Sequence, residues 1–176
     1  MKSLYVLSGA TGMTGSELVR QILEAEKESL IIGFDNFFAS SIDTVKEYLG
    51  NPGFEFYEYD INNPAQMQKI EDEVKEKKSF FDRTVYINCA AVVHTEHFYE
   101  VEHTWETNVI SMKSFLEQAI RVGADCYINC STSEVYSMQS WNENGGVRES
   151  DYLMMSTAEH SQRTSYACGK LMTEFF

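Results

Sequence analysis

The hydrophobic and polar positions of the chain alternate between two patterns. Short apolar runs, typical of strands buried on both faces of a parallel sheet, are separated by stretches with helical spacing of apolar residues. The predicted strands are 4–8, 30–34, 54–59, 84–91 and 126–130. The predicted helices are 15–26, 41–49, 64–78, 100–122 and 165–176, with an irregular segment at 137–156.

This alternation carries no sign of a tight hairpin between successive strands. Parallel strands need crossover connections, so the pattern predicts an α/β fold with a doubly wound parallel sheet. A chain of 176 residues is long enough to bury one sizeable core. We therefore predict a single domain spanning residues 1–176.

Charge and hydropathy narrow the set of partners. The chain has 14 Lys and Arg against 27 Asp and Glu, a formal net charge of -13. Such a surface repels phosphate backbones, which argues against a nucleic-acid partner. The sequence has no apolar run long enough to span a membrane and no signal peptide, so we expect a cytoplasmic protein without a membrane partner.

Potential metal ligands are present but poorly arranged. The histidines at 94, 97 and 103 lie among glutamates, but their spacing does not give a clean set of ligands, and no metal site is expected. None of the four cysteines forms a C-x-x-C pair, and we expect them to be idle thiols in a reducing compartment. They are Cys89, Cys126, Cys130 and Cys168.

A glycine-rich turn follows the first predicted strand directly. Glycines at 9, 12 and 15 give the spacing G-x-x-G-x-x-G, which permits a sharp turn and close approach of a pyrophosphate to the backbone. The next helix offers free N–H groups at its N-terminus. The motif lies between a strand and a helix, which favours a dinucleotide site over a ligand-free turn. The residues of this loop that we assign to cofactor binding are Gly9, Thr11, Gly12, Met13, Thr14 and Gly15.

Two acidic residues follow the next strands. Asp35 comes twenty residues after Gly15, where a carboxylate can accept both hydroxyls of an adenosine ribose and repel a 2′-phosphate. No Arg is adjacent, so the sequence predicts NAD rather than NADP as cofactor. Asp60 follows the third strand and is predicted to reach the adenine edge, although a turn aspartate is the alternative.

Tyr166 and Lys170 are four residues apart on a predicted helix and therefore share a face. We expect the Lys ammonium and an oxidised nicotinamide to lower the pKa of the phenol. The tyrosine is then able to take a hydroxyl proton while hydride leaves the same carbon. The alternative is a solvent-facing pair without chemistry.

A polar run at 131–136 follows the fifth strand, at the sheet edge where ligands bind in parallel α/β folds. Thr132 is placed to hydrogen-bond the reacting substrate oxygen, with Ser133 beside it. Glu134 is placed to act as an acid or base at a neighbouring carbon. Alternatively, these hydroxyls bond only to their own backbone.

Taken in order, these motifs resemble the extended short-chain dehydrogenase/reductases, in particular the NAD-dependent nucleotide-sugar epimerase/dehydratase group. The resemblance runs from residue 4 to about residue 176 and implies a Rossmann-type NAD-binding domain. It adds residues near the cofactor that spacing alone does not identify. These are Asn36, Ile61, Ala90, Ala91 and Asn108, besides Tyr166 and Lys170.

The resemblance also implies an activity. In this group the tyrosine deprotonates a sugar hydroxyl, usually at C4, while NAD takes the hydride, and epimerisation, elimination or decarboxylation follows. The Thr132-Ser133-Glu134 run is similar to that of UDP-glucuronate decarboxylases and GDP-mannose 4,6-dehydratases. The expected partner is a nucleoside-diphosphate sugar. The alternatives are a reductase or dehydrogenase acting on another alcohol, or a truncated non-catalytic dinucleotide-binding module.

The family pattern carries two expectations about the whole protein. Family members have a C-terminal substrate-binding part, which these 176 residues lack. Their helices corresponding to 100–122 and to the Tyr166 helix commonly form a four-helix dimer interface. The resemblance therefore implies a homodimer.

Overall fold

A computed structural model of the chain describes residues 1–136, 146–153 and 161–176. Its five strands form one parallel sheet in the order β3-β2-β1-β4-β5. The sequence prediction of a doubly wound parallel sheet is confirmed. The strands are β1 Ser3–Ser8, β2 Leu30–Asp35, β3 Phe54–Glu58, β4 Arg83–Asn88 and β5 Cys126–Asn129.

The helices follow the strands in alternation. They are α1 Met13–Ala25, α2 Pro64–Lys77, α3 Val101–Trp105, α4 Met112–Val122 and α5 Ser161–Thr173. A π-helical segment, Glu106–Ser111, joins α3 to α4. Short 3-10 turns lie at Ile42–Thr44, Lys46–Tyr48, Lys78–Phe80, Thr95–Tyr99 and Ser133–Tyr136.

Helices cover both faces of the sheet. Successive side chains of a strand point to opposite faces, and β1 shows both environments. Leu4 and Val6 belong to a core cluster with residues of α2 and α4. Tyr5 and Leu7 belong to a second cluster with residues of α1. The strand order reverses direction between β1 and β4, and in such sheets the ligand crevice lies at the carboxyl ends of the strands beside this point.

Two helix ends form as the sequence suggests. Pro64 occupies the first turn of α2, and the Asn63 side chain caps this helix by accepting hydrogen bonds from the next turn. Gly123 ends α4 in the left-handed conformation, with φ 67° and ψ 50°.

The predicted helix at 41–49 is wrong. The chain instead makes the two 3-10 turns Ile42–Thr44 and Lys46–Tyr48, separated by Val45 with φ -120° and ψ 7°. The Thr44 hydroxyl bonds the carbonyls of Thr11 and Ser41, at 2.8 Å and 3.0 Å. The bond to Thr11 holds residues 41–49 against the glycine-rich turn. This segment is too short to form a stable α-helix on its own.

The helix predicted at 100–122 is also not a single α-helix, because the π-helical segment interrupts it. A π turn adds one residue to the turn and often occurs at functional sites. The predicted irregular segment at 137–156 lies outside the described residues except for 146–153. In the part of the chain that the structure describes, no helix is long and apolar enough to cross a membrane.

Candidate active site

A cavity of about 490 Å³ lies beside the switch point of the sheet, at the carboxyl ends of β1, β2 and β4. Most of the residues predicted to bind the cofactor line it. They are Gly9, Gly12, Met13, Thr14, Gly15, Asp35, Asn36, Ile61, Ala90 and Ala91.

The glycine-rich turn is built so that only glycine fits at two positions. Gly9 has a φ of +68°, and a Cβ there would lie 2.6 Å from the Ala90 nitrogen. At Gly15, a Cβ would lie 2.0 Å from the Gly9 carbonyl oxygen. Helix α1 therefore packs directly on the turn that precedes it.

The N-terminus of α1 fits an anionic group. Gly12 is the N-cap of this helix and provides no side-chain cap. Met13 and Thr14, in the first turn, line the cavity, and the uncapped N–H groups of a helix start bind phosphate oxygens. These N–H groups are suitable hydrogen-bond donors for the oxygens of a pyrophosphate in the cavity.

Asp35 is held in place by the loop around it. Its Oδ2 accepts from the Thr11 N–H at 3.1 Å, and its Oδ1 accepts from the Phe37 N–H at 2.9 Å and from the Ser40 hydroxyl at 3.3 Å. The Thr11 hydroxyl bonds that of Ser40 at 2.7 Å. Thr11 is fully buried and does not line this cavity. Its role in the structure is to hold the Asp35 carboxylate in position.

Asp60 does not line this cavity, although its neighbours Tyr59 and Ile61 do. Its Oδ1 accepts from the Asn62 N–H at 2.8 Å, and its own N–H donates to the Gln66 side chain at 2.7 Å. These bonds give Asp60 a turn-forming role. Its contact with adenine stays a prediction.

Asn108 lies in the π-helical segment and is 1% exposed. Its amide makes two hydrogen bonds to the backbone of Val92, from the Val92 N–H to Oδ1 at 2.8 Å and from Nδ2 to the Val92 carbonyl at 3.1 Å. Asn108 thereby fixes the segment after β4 that forms one wall of the cavity. A role at the nicotinamide ribose stays a prediction.

The sequence did not identify an aromatic group on the opposite wall. Phe38 and His103 line the cavity with their ring centroids 5.0 Å apart, and the centroid of His97 lies 4.6 Å from that of Phe38. His94 also lines the cavity. Among the described residues, no three His, Cys, Asp or Glu side chains are grouped as metal ligands.

Tyr166 lies on α5 beside the end of β5 and is 9% exposed. Its ring stacks on Phe98. Burial raises the pKa of Tyr166, the nearby Thr132 side chain lowers it, and the charge of Glu134 raises it. Three of the predicted catalytic residues therefore interact.

Lys170 is 2% exposed, and its ammonium donates to the Cys130 carbonyl at 2.7 Å. Burial lowers the pKa of Lys170. Burial is the largest influence on the pKa of Tyr166, and the Lys170 ammonium is bonded to the carbonyl just after β5. The expectation that this ammonium and an oxidised nicotinamide together lower the pKa of the phenol stays a prediction, as does the joint role of Tyr166 and Lys170 in proton transfer.

The run after β5 shows both of the behaviours weighed from the sequence. Thr132 Oγ1 accepts from the Glu134 N–H at 3.2 Å, which satisfies the local backbone, and the Thr132 side chain also lowers the pKa of Tyr166. Ser133 is exposed at the start of the 3-10 turn Ser133–Tyr136. The structure therefore brings Thr132 and Glu134 to the tyrosine, while Ser133 faces solvent.

Beneath these residues, hydrogen-bonded side chains link β1 to α5 through β4 and β5. We call this row the polar ladder, and it consists of Ser8, Asn88, Asn129 and Thr173. Ser8 donates to Asn88 at 2.6 Å, Asn88 to Asn129 at 3.0 Å, and Asn129 to Thr173 at 2.8 Å. The Thr173 hydroxyl donates in turn to the Lys170 carbonyl at 2.7 Å. Strand β1, which leads into the glycine-rich turn, is thus connected to α5, the helix that carries Tyr166 and Lys170.

Two of the cysteines that were expected to be idle also meet here. Cys89 and Cys130 follow β4 and β5, and their Sγ atoms are 3.6 Å apart. Cys126, in contrast, is exposed at the outer end of β5.

The fold and the cavity define a dinucleotide-binding domain of the doubly wound class. The family model described as the NAD dependent epimerase/dehydratase family matches residues 5–175. The chain therefore belongs to the NAD-dependent epimerase/dehydratase family, which confirms the resemblance seen in the motifs and the prediction of NAD as cofactor. It also favours this class over a dehydrogenase of another alcohol.

The chain is similar to several named proteins. It is 34% identical over 133 residues to UDP-glucuronic acid decarboxylase 5 of Arabidopsis thaliana, covering 74% of this chain and 34% of that protein. It is 29% identical over 132 residues to the low-salt glycan biosynthesis protein Agl12 of Haloferax volcanii, covering 40% of that protein. The chain spans less than half the length of these relatives.

Solved structures share the fold. The dTDP-glucose 4,6-dehydratase of Bacillus anthracis in complex with NAD matches with a TM-score of 0.75 at 22% identity, over 98% of this chain and 48% of that one. The UDP-Glc/GlcNAc 4-epimerase of Campylobacter jejuni matches with a TM-score of 0.73 at 23% identity, over 98% and 47%. The chain thus corresponds to about half of each neighbour.

Proposed function

We propose that the protein is an NAD-dependent nucleotide-sugar enzyme that acts by transient oxidation of a sugar hydroxyl. The observation that carries this proposal is the grouping of Tyr166 with Thr132 and Glu134 after β5, in a domain whose dinucleotide cavity lies at the switch point of the same sheet. A buried phenol that adjoins a hydroxyl and a carboxylate is suited to moving a proton on a substrate alcohol.

The chain's own residues account for holding the cofactor. The N-terminus of α1 receives the pyrophosphate, and the Asp35 carboxylate, fixed by the Thr11 and Phe37 N–H groups, receives the adenosine ribose hydroxyls. A negative charge at this position opposes a 2′-phosphate, so NAD is favoured over NADP. NAD supplies the hydride acceptor.

In the proposed reaction, Tyr166 accepts the proton of the sugar hydroxyl, usually that at C4. Thr132 bonds the same oxygen and orients it toward the phenol. Lys170 lies on the same face of α5 as Tyr166, and its positive charge together with that of the oxidised nicotinamide favours the phenolate. Glu134 acts as acid or base at the neighbouring carbon, and this would extend the chemistry beyond simple epimerisation.

We propose UDP-glucuronic acid as the first substrate to test, because relatives at 34% and 33% identity are named as UDP-glucuronic acid decarboxylases. In a decarboxylation, oxidation at C4 places a carbonyl two carbons from the carboxylate, which then leaves as carbon dioxide. The epimerase and dehydratase outcomes share the same first step with Tyr166.

Binding of the cofactor is tested by calorimetry with NAD and NADP on the wild type and on Asp35→Asn. We expect NAD to bind selectively, and the variant to lose about tenfold in NAD affinity and most of its selectivity against NADP. The variant keeps an acceptor for the loop, and its urea denaturation midpoint checks that the loop is intact. Equal affinity for NAD and NADP in the wild type would contradict the proposal.

Turnover is tested on the full-length protein with UDP-glucuronic acid and a panel of other nucleotide sugars, by separating the products. Tyr166→Phe is expected to abolish turnover with NAD affinity within a few fold of the wild type. Thr132→Val is expected to reduce kcat by about 100-fold, in the range of a single positioned acid–base partner. Retention of full activity by Tyr166→Phe would refute the assigned chemistry.

Two further properties belong to the proposal. We propose a homodimer, which sedimentation equilibrium of the full-length protein tests directly. We also propose a cytoplasmic location, which fractionation of cells that express the tagged protein tests.

A further inference from the structure

Cys89 and Cys130 lie side by side at the carboxyl edge of the sheet, with Sγ atoms 3.6 Å apart. The parallel register explains their meeting. It pairs Val85 with Cys126 and continues to Asn88 with Asn129, so the next position along both strands brings the two cysteines opposite each other. Adjacent strands hold backbones at a separation that a disulfide spans.

The pair is within reach of bond formation. A disulfide has an S–S length of about 2.04 Å, so the sulfurs must approach by about 1.6 Å, which side-chain rotation supplies. Both cysteines are half-buried, and Cys89 lines the cofactor cavity. A small oxidant therefore reaches the pair through the cavity.

The charges around the pair differentiate the two sulfurs. The hydrogen bond from the Cys89 thiol lowers the pKa of Cys130 to about 6, and the Lys170 ammonium acts in the same direction. The same bond raises the pKa of Cys89. Cys130 is thus the more acidic of the two thiols and the better placed to react as a thiolate.

We propose that Cys89 and Cys130 form a redox-active dithiol that hydrogen peroxide converts to a reversible disulfide. The Cys130 thiolate attacks one peroxide oxygen, the O–O bond breaks, and the departing hydroxide takes a proton to become water. Cys130 is then a sulfenic acid. Cys89 loses its proton and attacks the Cys130 sulfur, the S–O bond breaks, and the second oxygen leaves as water. Two electrons pass from the sulfurs to peroxide.

A disulfide between Cys89 and Cys130 would affect both the cofactor cavity and the contact of Lys170. Cys89 lines the cavity beside Ala90, and the Cys130 carbonyl accepts from the Lys170 ammonium. Drawing the two sulfurs together therefore shifts the cavity wall and the lysine's acceptor at once. This consequence for the cofactor rests on the proposed function, whereas formation of the disulfide does not.

The test uses the double variant Cys126→Ser/Cys168→Ser, in which only the two paired cysteines remain. After treatment with hydrogen peroxide, we expect a mass lower by about 2 Da, loss of both thiols to alkylation, and full recovery with dithiothreitol. Tryptic mapping of the oxidised wild type should show a peptide that joins Cys89 to Cys130. The matched control, Cys89→Ser/Cys130→Ser, should form no intramolecular disulfide.

Adding Cys89→Ser to the double variant should remove the mass loss and leave Cys130 as a sulfenic or sulfinic acid. The proposal is overturned if both thiols remain open to alkylation, or if Cys130 is over-oxidised while Cys89 is present. Calorimetry then compares NAD affinity in the oxidised and reduced double variant, with an expected loss of tenfold or more on oxidation. If the reduced protein does not bind NAD, the proposed function is refuted. The mass measurement then tests formation of the disulfide by itself.

Discussion

Phe98 and Tyr166 lie face to face, with ring centroids 4.8 Å apart and planes 7° from parallel. Phe98 is buried in the 3-10 turn Thr95–Tyr99, so the segment after β4 supports the ring of the proposed catalytic tyrosine. The Ser165 hydroxyl adds a bond of 3.3 Å to the Phe98 carbonyl. The position of the phenol depends on this contact as well as on α5.

Replacing Phe98 with Leu is expected to cost about 1–2 kcal/mol of unfolding free energy, because a buried aromatic contact is lost and partly refilled. Urea denaturation measures the loss. Tyr166→Phe is the matched control, since it keeps the stacked ring and loses only the hydroxyl. A Phe98→Leu protein as stable as the wild type would show that the stack contributes nothing.

Substitutions at two glycines of the first turn should have different effects, one on folding and the other on NAD binding. Gly15→Ala is expected to destabilise the protein by several kcal/mol or prevent folding, because its Cβ would lie 2.0 Å from the Gly9 carbonyl. Gly12→Ala has only one contact, at 3.4 Å, and its φ of -68° is open to any residue. We expect a stable Gly12→Ala protein with weakened NAD binding, measured by thermal melts and calorimetry. The reverse order of stability would refute this account of the turn.

The bonds between Asn108 and Val92 should contribute strongly to stability. Asn108→Ala leaves the buried N–H and carbonyl of Val92 without their hydrogen-bond partner. The expected loss of unfolding free energy is about 2–3 kcal/mol. Asn108→Asp keeps the acceptor for the Val92 N–H but places an oxygen against its carbonyl, so it should restore little. Asn62→Ala, which removes the bond to Thr107 at 3.0 Å, serves as a control in the same region. Denaturation midpoints rank the three variants, and Asn108→Ala should be less stable than Asn62→Ala.

The carboxylate of Glu71 should make stability depend on pH. Its side chain is 5% exposed and bonds Arg121 on α4 at 2.8 Å and Lys75 at 2.7 Å. The bond from Arg121 lowers the pKa of Glu71. A lowered pKa means that its contribution is present above the unfolded-state value and is lost as pH falls through the folded-state value.

Glu71→Gln should therefore cost about 1–2 kcal/mol at neutral pH, and the difference from the wild type should shrink as pH falls. Denaturation at a series of pH values measures this convergence. Glu17→Gln is the control, because Glu17 pairs with Arg20 on the exposed face of α1 and surface pairs of this kind contribute little. A constant difference across the pH range would show that packing, and not charge, accounts for the loss.

The alternation of apolar runs and helical periods was sufficient to predict the sheet and most of its cofactor edge. Gly9, Asp35 and Ala90 lie at or just after the ends of three different strands, and parallel strands bring their carboxyl ends to one edge. A sequence pattern can place such residues because strand ends are local features. The family motifs then assign them a common ligand.

Other parts of the site depend on pairs of residues that no local pattern reveals. The π turn at Asn108 leaves the apolar spacing of the helix nearly unchanged, so periodicity predicts one continuous helix. Asn88 and Asn129 bond only because β4 and β5 share a register. The same register brings Cys89 to Cys130, which the predicted strand ends at 91 and 130 did not reveal.

The polar ladder has a direction. Every donor in it points from Ser8 toward α5, so each amide has its oxygen toward β1 and its nitrogen toward Thr173. Reversing the Asn88 amide would set two amide oxygens against each other, and reversing the Asn129 amide would set two NH2 groups against each other, whereas the hydroxyls of Ser8 and Thr173 can donate or accept. A substitution at Asn88 or Asn129 is therefore unfavourable alone and acceptable only with a matching change at its neighbour. The row constrains the sequence as one unit, although its members are scattered over more than 160 residues of the chain.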